Sequence, residues 1–206
     1  MGGELFKDKY RIESARLHGF DYSSDGYYFV TICTNDRIEY FGKIVNQKMI
    51  LSEIGKIAKQ YWMDITNHFP FVVLDEFVIM SNHVHGIIII NKSVETQNFA
   101  SQMSHKTSMP NAINETQNFA SLPIRGRIWT PNKFGPQSQN LASIIRGFKI
   151  GVTKYATMHN IPFNWQPRFY DRIIHDERAL HGIRHYIKIN PLKWEFDRNN
   201  KQGLWY

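Results

Sequence analysis

Two hydrophobic periods alternate along the chain, and the switches between them lay out most of the elements. Tyr27-Tyr28-Phe29-Val30-Thr31-Ile32-Cys33-Thr34 gathers β-branched and aromatic side chains without a charged break, the mark of a buried strand, and Asn35-Asp36 ends it. From Leu51 to His68 the apolar positions are Leu51, Ile54, Ile57, Ala58, Tyr61 and Ile65, a helical spacing with Ser52 near its start and Pro70 just beyond its end. Phe71 to Met80 and His83 to Ile90 read as two strands joined at Ser81-Asn82, most simply an antiparallel hairpin, and the run of four isoleucines predicts that the second is central. Helical spacing returns over Leu141 to Met158, through Ile144, Ile145, Phe148, Val152 and Tyr155, and over Asp176 to Ile189, which Pro191 stops. The order strand, helix, strand, strand, helix, helix predicts an α+β fold, an antiparallel sheet with helices packed on it.

Between Asn91 and Pro123 the periodicity gives way to Ser, Thr, Asn, Gln and Met, which predicts a flexible polar insertion within a single domain over residues 1–206. Inside it, the segment from Glu95 to Ser101 recurs unchanged from Glu115 to Ser121, and Ser138 to Ser143 echoes it. Two copies are too few for a solenoid and read as a duplicated loop.

Composition sharpens this picture. A 42% hydrophobic chain of 206 residues can build a real core, so disordered and fibrous classes are excluded. Mean hydropathy of −0.41 and the lack of a long apolar run or leader point to a cytoplasmic protein with no membrane partner. Cys33 is the single cysteine, so any metal must be held by His, Asn or carboxylate ligands. The net charge of +7 is concentrated: from Thr116 to Tyr170 stand Arg125, Arg127, Lys133, Arg146, Lys149, Lys154 and Arg168, with no acid among them. Trp165 and several other aromatic residues interleave with these cations. Such a stretch offers phosphate contacts and stacking surfaces together, as single-stranded nucleic-acid binders need; a solvated basic face is the plainer alternative.

His83-Val84-His85 is the sharpest local signal. Residues i and i+2 of a strand project from one face, so the two imidazoles stand side by side as a divalent cation requires. Tyr186 and Asn190, four residues apart on the last helix, share a face. Together they form a candidate site: His83, His85 and the Asn190 side-chain oxygen holding Mg²⁺ or Mn²⁺, and the Tyr186 hydroxyl attacking phosphorus. Satisfied structural histidines and an ordinary half-buried tyrosine are the alternative. Tyr155, beside Lys154 in the basic stretch, is the rival nucleophile, although no amide or carboxylate lies one turn away. His175, His181 and His185 offer an alternative metal cluster, but His181 and His185 face together near Tyr186 on one helix and read as surface residues or as neighbours that support the site from behind its ligands.

Four blocks carry a resemblance. Met80-Ser-Asn-His83-Val-His85-Gly-Ile-Ile, Ile144-Ile-Arg-Gly-Phe-Lys149, Trp165-Gln-Pro-Arg-Phe-Tyr-Asp171 and Tyr186-Ile-Lys-Ile-Asn190-Pro-Leu-Lys193 resemble, in order, those of the REP-associated tyrosine transposases. These belong to the insertion-sequence-200-like, single-tyrosine branch of the HUH nucleases. The resemblance covers roughly residues 15–195 apart from the insertion. It implies a ferredoxin-like core with the His-x-His pair on a central strand, and metal-dependent cleavage and rejoining of single-stranded DNA at hairpins through a 5′-phosphotyrosine. His83, His85 and Asn190 would then be metal ligands and Tyr186 the nucleophile, in a monomer or homodimer. Ser81 stands where the family usually has proline. A transposase-derived protein that binds hairpins without cutting them, and a small-molecule phosphoesterase, remain the other readings.

Overall fold

The computed structural model describes residues 20–92 and 138–200. Its main sheet comprises β1 (Gly26–Cys33), β4 (Val72–Ile79), β5 (His83–Ile90) and β6 (Tyr170–Ile174), antiparallel throughout in the order β4-β5-β1-β6. A two-stranded ribbon, β2 (Gly42–Val45) with β3 (Lys48–Leu51), leads into α1 (Glu53–Met63) and the one-turn α2 (Ile65–His68). After β5 come α3 (Leu141–Met158), β6 and α4 (Glu177–Ile189), followed by a 3₁₀ segment, Pro191–Phe196. The fold is α+β, as the order of periods predicts, with β5 between two partners.

Strand parity divides the core into two layers. Tyr28, Val30 and Ile32 of β1 and Val84, Ile88 and Ile90 of β5 face α1 and α3, where they pack with Ile54, Ala58, Trp62, Ile144, Phe148 and Val152. Tyr27 and Ile87 face the other way, against Leu180, Ile183 and Ile187 of α4. A strand buried on both faces carries apolar side chains at successive positions, which is why β5 shows its four isoleucines without alternation. The same parity commits His83 and His85 to the α4 face.

Three differences from the sequence expectations have physical causes. The helix expected over Leu51–His68 is two helices: Asp64 ends α1, and its carboxylate accepts from Asn67 Nδ2 and meets His68 Nε2 at 3.1 Å, which starts a separate turn. The β2–β3 ribbon turns on Asn46 and Gln47, both at positive φ (50° and 61°), and glutamine is not a residue that advertises such a turn. β6 reads as polar because it is an edge strand: Tyr170 and Arg172 are exposed and only Ile173 and Ile174 are buried. The insertion from residue 93 onward, with its repeated segment, and Arg125, Arg127 and Lys133 lie outside the described residues.

Gly86 lies in a tight contact of the α1 layer. A Cβ there would stand 2.2 Å from Trp62 Cζ2, so the indole lies flat on β5 only because residue 86 has no side chain. Trp62 is fully buried and cannot give way. Gly86→Ala is expected to cost about 1–3 kcal/mol by overpacking, seen as a lower urea midpoint with an unchanged slope; an unchanged midpoint would show that the layer has slack.

Candidate metal centre and tyrosine

His83 is fully buried and His85 nearly so, with ring centroids 4.4 Å apart. Their hydrogen bonds fix the tautomer of the first. Asn82 Nδ2 donates to the carbonyls of Arg37 (3.0 Å) and Asn199 (2.8 Å), so Oδ1 is the atom turned to His83 Nδ1 at 2.9 Å. An amide oxygen only accepts, hence Nδ1 carries the proton and Nε2 is left as a lone pair. That nitrogen is buried with no hydrogen-bond partner. In His85, Nδ1 is 2.8 Å from Thr31 Oγ1 and Nε2 is 3.1 Å from the Tyr186 hydroxyl, so with Nδ1 donating to Thr31 the second lone pair faces the tyrosine. Trp194 stacks on His83 and Phe29 on His85, holding both rings in orientation.

Burial makes both imidazoles reluctant to charge. Desolvation, reinforced by Arg37 and Arg198, pushes His83 down to about 3, and burial with the neighbouring His83 holds His85 well below the usual range. Both are therefore neutral near pH 7, the form that binds a metal.

An acidic ligand arrives from the segment after α4. Asp197 is buried, and one carboxylate oxygen lies with a nitrogen of each histidine inside a 4.8 Å cluster, a group able to hold a metal ion. Asn190 borders it: Nδ2 donates to Asp197 Oδ2 at 3.1 Å, while Oδ1 is buried without a partner. The donor set thus fits a divalent cation on the molecule's own evidence, since two buried lone pairs, His83 Nε2 and Asn190 Oδ1, are unsatisfied by protein groups. Asp197 was not foreseen from the sequence, and no periodicity or motif spacing marks it. Its position comes from the turns that follow Pro191, where Asp197 Oδ1 also accepts from the Asn199 backbone amide at 2.6 Å.

Tyr186 is the accessible member, 40% exposed while the surrounding donors are buried. Burial of its inner part, then the nearby Asp197 charge, raises its hydroxyl above the usual phenol range; the Asn190 amide and Arg198 pull the other way. α4 holds it there through a bulge in β4. Between Leu74↔Ile88 and Phe77↔Gly86 the register slips, so Asp75 and Glu76 together oppose one residue of β5. The bulge presents both carboxylates to α4: Arg184 Nε and Nη2 grip Asp75 at 3.0 and 2.5 Å, and Lys188 meets Glu76 at 3.2 Å. Asp75→Ala should therefore destabilise the protein by about 1–3 kcal/mol, because it strands a half-buried guanidinium. Thermal unfolding of Asp75→Ala beside Glu76→Ala tests this; equal, negligible shifts would rule the clamp out.

Among the remaining sequence candidates, Tyr155 is set apart from this cluster, on the α3 side of the sheet, where its hydroxyl donates to Glu53 at 2.9 Å. His181 and His185 are exposed. Arg146, Lys149, Lys154 and Arg168 are brought together, lining one groove between α3 and the segment before β6. Trp165 lies beneath it, half-buried: Nε1 donates to the Lys149 carbonyl, and its ring packs on Phe41, Phe148 and Phe163. No helix among the described residues is long and apolar enough to cross a membrane.

No family model matches the chain. A protein of Haemophilus influenzae (strain Rd), described as uncharacterized, is 40% identical over 186 residues, which span 90% of this chain and 91% of that protein. Among solved structures, a REP-associated tyrosine transposase bound to a REP hairpin matches with a TM-score of 0.51 over 89% of this chain and 74% of its own, at 15% identity. At that identity the likeness is one of fold. The chain therefore belongs to one family with the Haemophilus influenzae protein, in a fold that it shares with the hairpin-bound transposase.

Proposed function

We propose that the chain is a metal-dependent, single-tyrosine nuclease and strand transferase acting on single-stranded DNA at hairpin-forming repeats. The observation that carries this reading is the Tyr186 hydroxyl 3.1 Å from His85 Nε2, at the exposed edge of a buried two-histidine, one-carboxylate cluster. A phenol within contact of a metal-ligating nitrogen is placed to attack a phosphate that the same ion holds.

His83 Nε2, His85 Nε2 and Asp197 would hold the cation, with Asn190 Oδ1 as a fourth donor in the role the sequence assigns to it. Nitrogen and oxygen donors together suit Mn²⁺, and Mg²⁺ where water completes the shell. A cation held there would supply positive charge to the scissile phosphate. Tyr186 Oη attacks phosphorus, the bond from phosphorus to the 3′-oxygen breaks, and that oxygen leaves as a hydroxyl after taking a proton. The 5′-phosphate stays on the tyrosine until another 3′-hydroxyl displaces it. Tyr186 must lose its own proton; burial opposes this, and Asn190 and Arg198 favour it. The hairpin named for the structural neighbour, together with the basic groove, supports DNA as the substrate.

The test is incubation with end-labelled single-stranded hairpin DNA and Mn²⁺ or Mg²⁺, followed by denaturing electrophoresis. A labelled band at the mass of protein plus DNA is expected. DNA bound with no adduct under either metal would return the chain to the hairpin-binding reading.

A further inference from the structure

The groove on the α3 side is built differently from the tyrosine site and lies on the other face of the sheet. It has a volume of about 610 Å³, four cations, an apolar floor that includes Ile150 and Phe169, and no acid among the described residues that line it. Its far wall is held in a conformation the chain would not take by itself. Arg168 sits at φ 66°, in the left-handed region that a residue with a side chain occupies only when its surroundings hold it there. What holds it is Lys149, whose Nζ donates to the carbonyls of Gln166 (2.7 Å) and Arg168 (3.1 Å). The wall then runs directly into β6. Tyr170, the next residue but one after Arg168, pairs with Thr31, and Thr31 is the hydroxyl that orients His85. Groove and tyrosine therefore sit at the same end of the sheet, on opposite faces, with the edge strand β6 and then β1 on the way from one to the other. On the tyrosine face β6 exposes Tyr170 and Arg172, a ring and a cation on the direct route.

We infer that this groove receives the single-stranded DNA flanking the cleavage site, with backbone phosphates on Arg146, Lys154 and Arg168 and a base over Ile150 and Phe169, the strand rounding the β6 edge and passing over β1 to reach Tyr186. The occupant follows from chemistry: a chain of anions with flat apolar faces fits cations around an apolar floor, whereas an acidic peptide would leave the floor unused. The inference rests on the nuclease reading and extends it, since it makes both faces of the sheet parts of one binding path.

Fluorescence anisotropy tests it with the full chain, in EDTA so that no DNA is cut. The probes are a fluorescein-labelled DNA hairpin with a single-stranded polythymidine tail and the same hairpin without one. Arg146→Gln/Lys154→Gln removes two exposed charges that make no hydrogen bond or ion pair among the described residues. It is expected to weaken the tailed probe roughly tenfold near physiological salt and to flatten the logarithmic salt dependence by about 1.4, while the blunt hairpin is unaffected. Unchanged affinity and slope for the tailed probe, or equal weakening of both probes, would overturn the tail path; circular dichroism confirms that the variant is folded. The two readings fail separately. If the wild-type chain forms the tyrosine adduct but the double variant binds normally, the groove proposal alone falls; if the groove behaves as expected and no adduct forms, the nuclease reading alone falls.

Discussion

Tyr186→Phe is expected to abolish the covalent protein–DNA adduct, a loss on the order of 10³-fold or more, while leaving hairpin binding intact. The substitution removes one oxygen and keeps the ring that packs against Phe29 and His85. Its structural cost is the hydroxyl's hydrogen bonding, chiefly to His85 Nε2, at about 0.5–1.5 kcal/mol per bond, so a folded protein without the proposed nucleophile is expected. The contrast between retained binding and lost adduct carries the conclusion, and it is read from one gel and one binding titration on the same sample. An adduct that persists in the variant would transfer the chemistry to another residue, and mass spectrometry of the labelled peptide would say which.

The second large effect is expected in metal binding. A cation that binds only the folded protein, present at about a hundred times its dissociation constant, stabilises it by about 2.7 kcal/mol. For a chain of this size that is a rise in Tm on the order of 5–10 °C. The wild-type protein should show such a rise with Mn²⁺. His83→Ala should lose it entirely and lose adduct formation with it, although Tyr186 is untouched. Because His83 also satisfies Asn82 Oδ1, the variant starts from a lower Tm; the readout is the metal-induced change and not the starting value. Asp197→Asn separates the ligand sets: if Asp197 binds the ion, the Mn²⁺ shift falls sharply, and if Asn190 supplies the oxygen alone, it survives. A full Mn²⁺ shift in His83→Ala would place the ion outside this cluster.

The parts of the molecule that could be read from the sequence are those where one side-chain period acts over several residues. β5, α3 and α4 fall at or within a residue of where their apolar positions put them, because each buries a regular face. The pair of histidines was legible for the same reason, parity on a strand, and Tyr186 with Asn190 from the one-turn repeat of a helix. Asp197 obeys no period. It is delivered by irregular turns, and its value as a ligand depends on contacts from residues far away in the chain. β6 and the β2–β3 ribbon were hidden by shortness: four or five residues at an exposed edge need not be apolar. The cations of the basic stretch illustrate the limit of charge counting. Composition put them in one segment, but only the packing of α3 against the segment before β6 turns four of them toward one groove.

The hydrogen bonds of Asn82 bear on when the two-histidine, one-carboxylate cluster is assembled during folding. Its amide is held by residues 37 and 199, and the second of these bonds closes a separation of 117 positions. Contacts of that span are the slowest to form, since the loop they close must be ordered before they repay its entropy. The hairpin that carries both histidines is complete long before the segment that sets the proton on His83 and brings in Asp197. During synthesis the nascent chain thus carries its imidazoles without a finished set of neighbours, and the His83, His85 and Asp197 cluster is completed only when residues 197–199 dock.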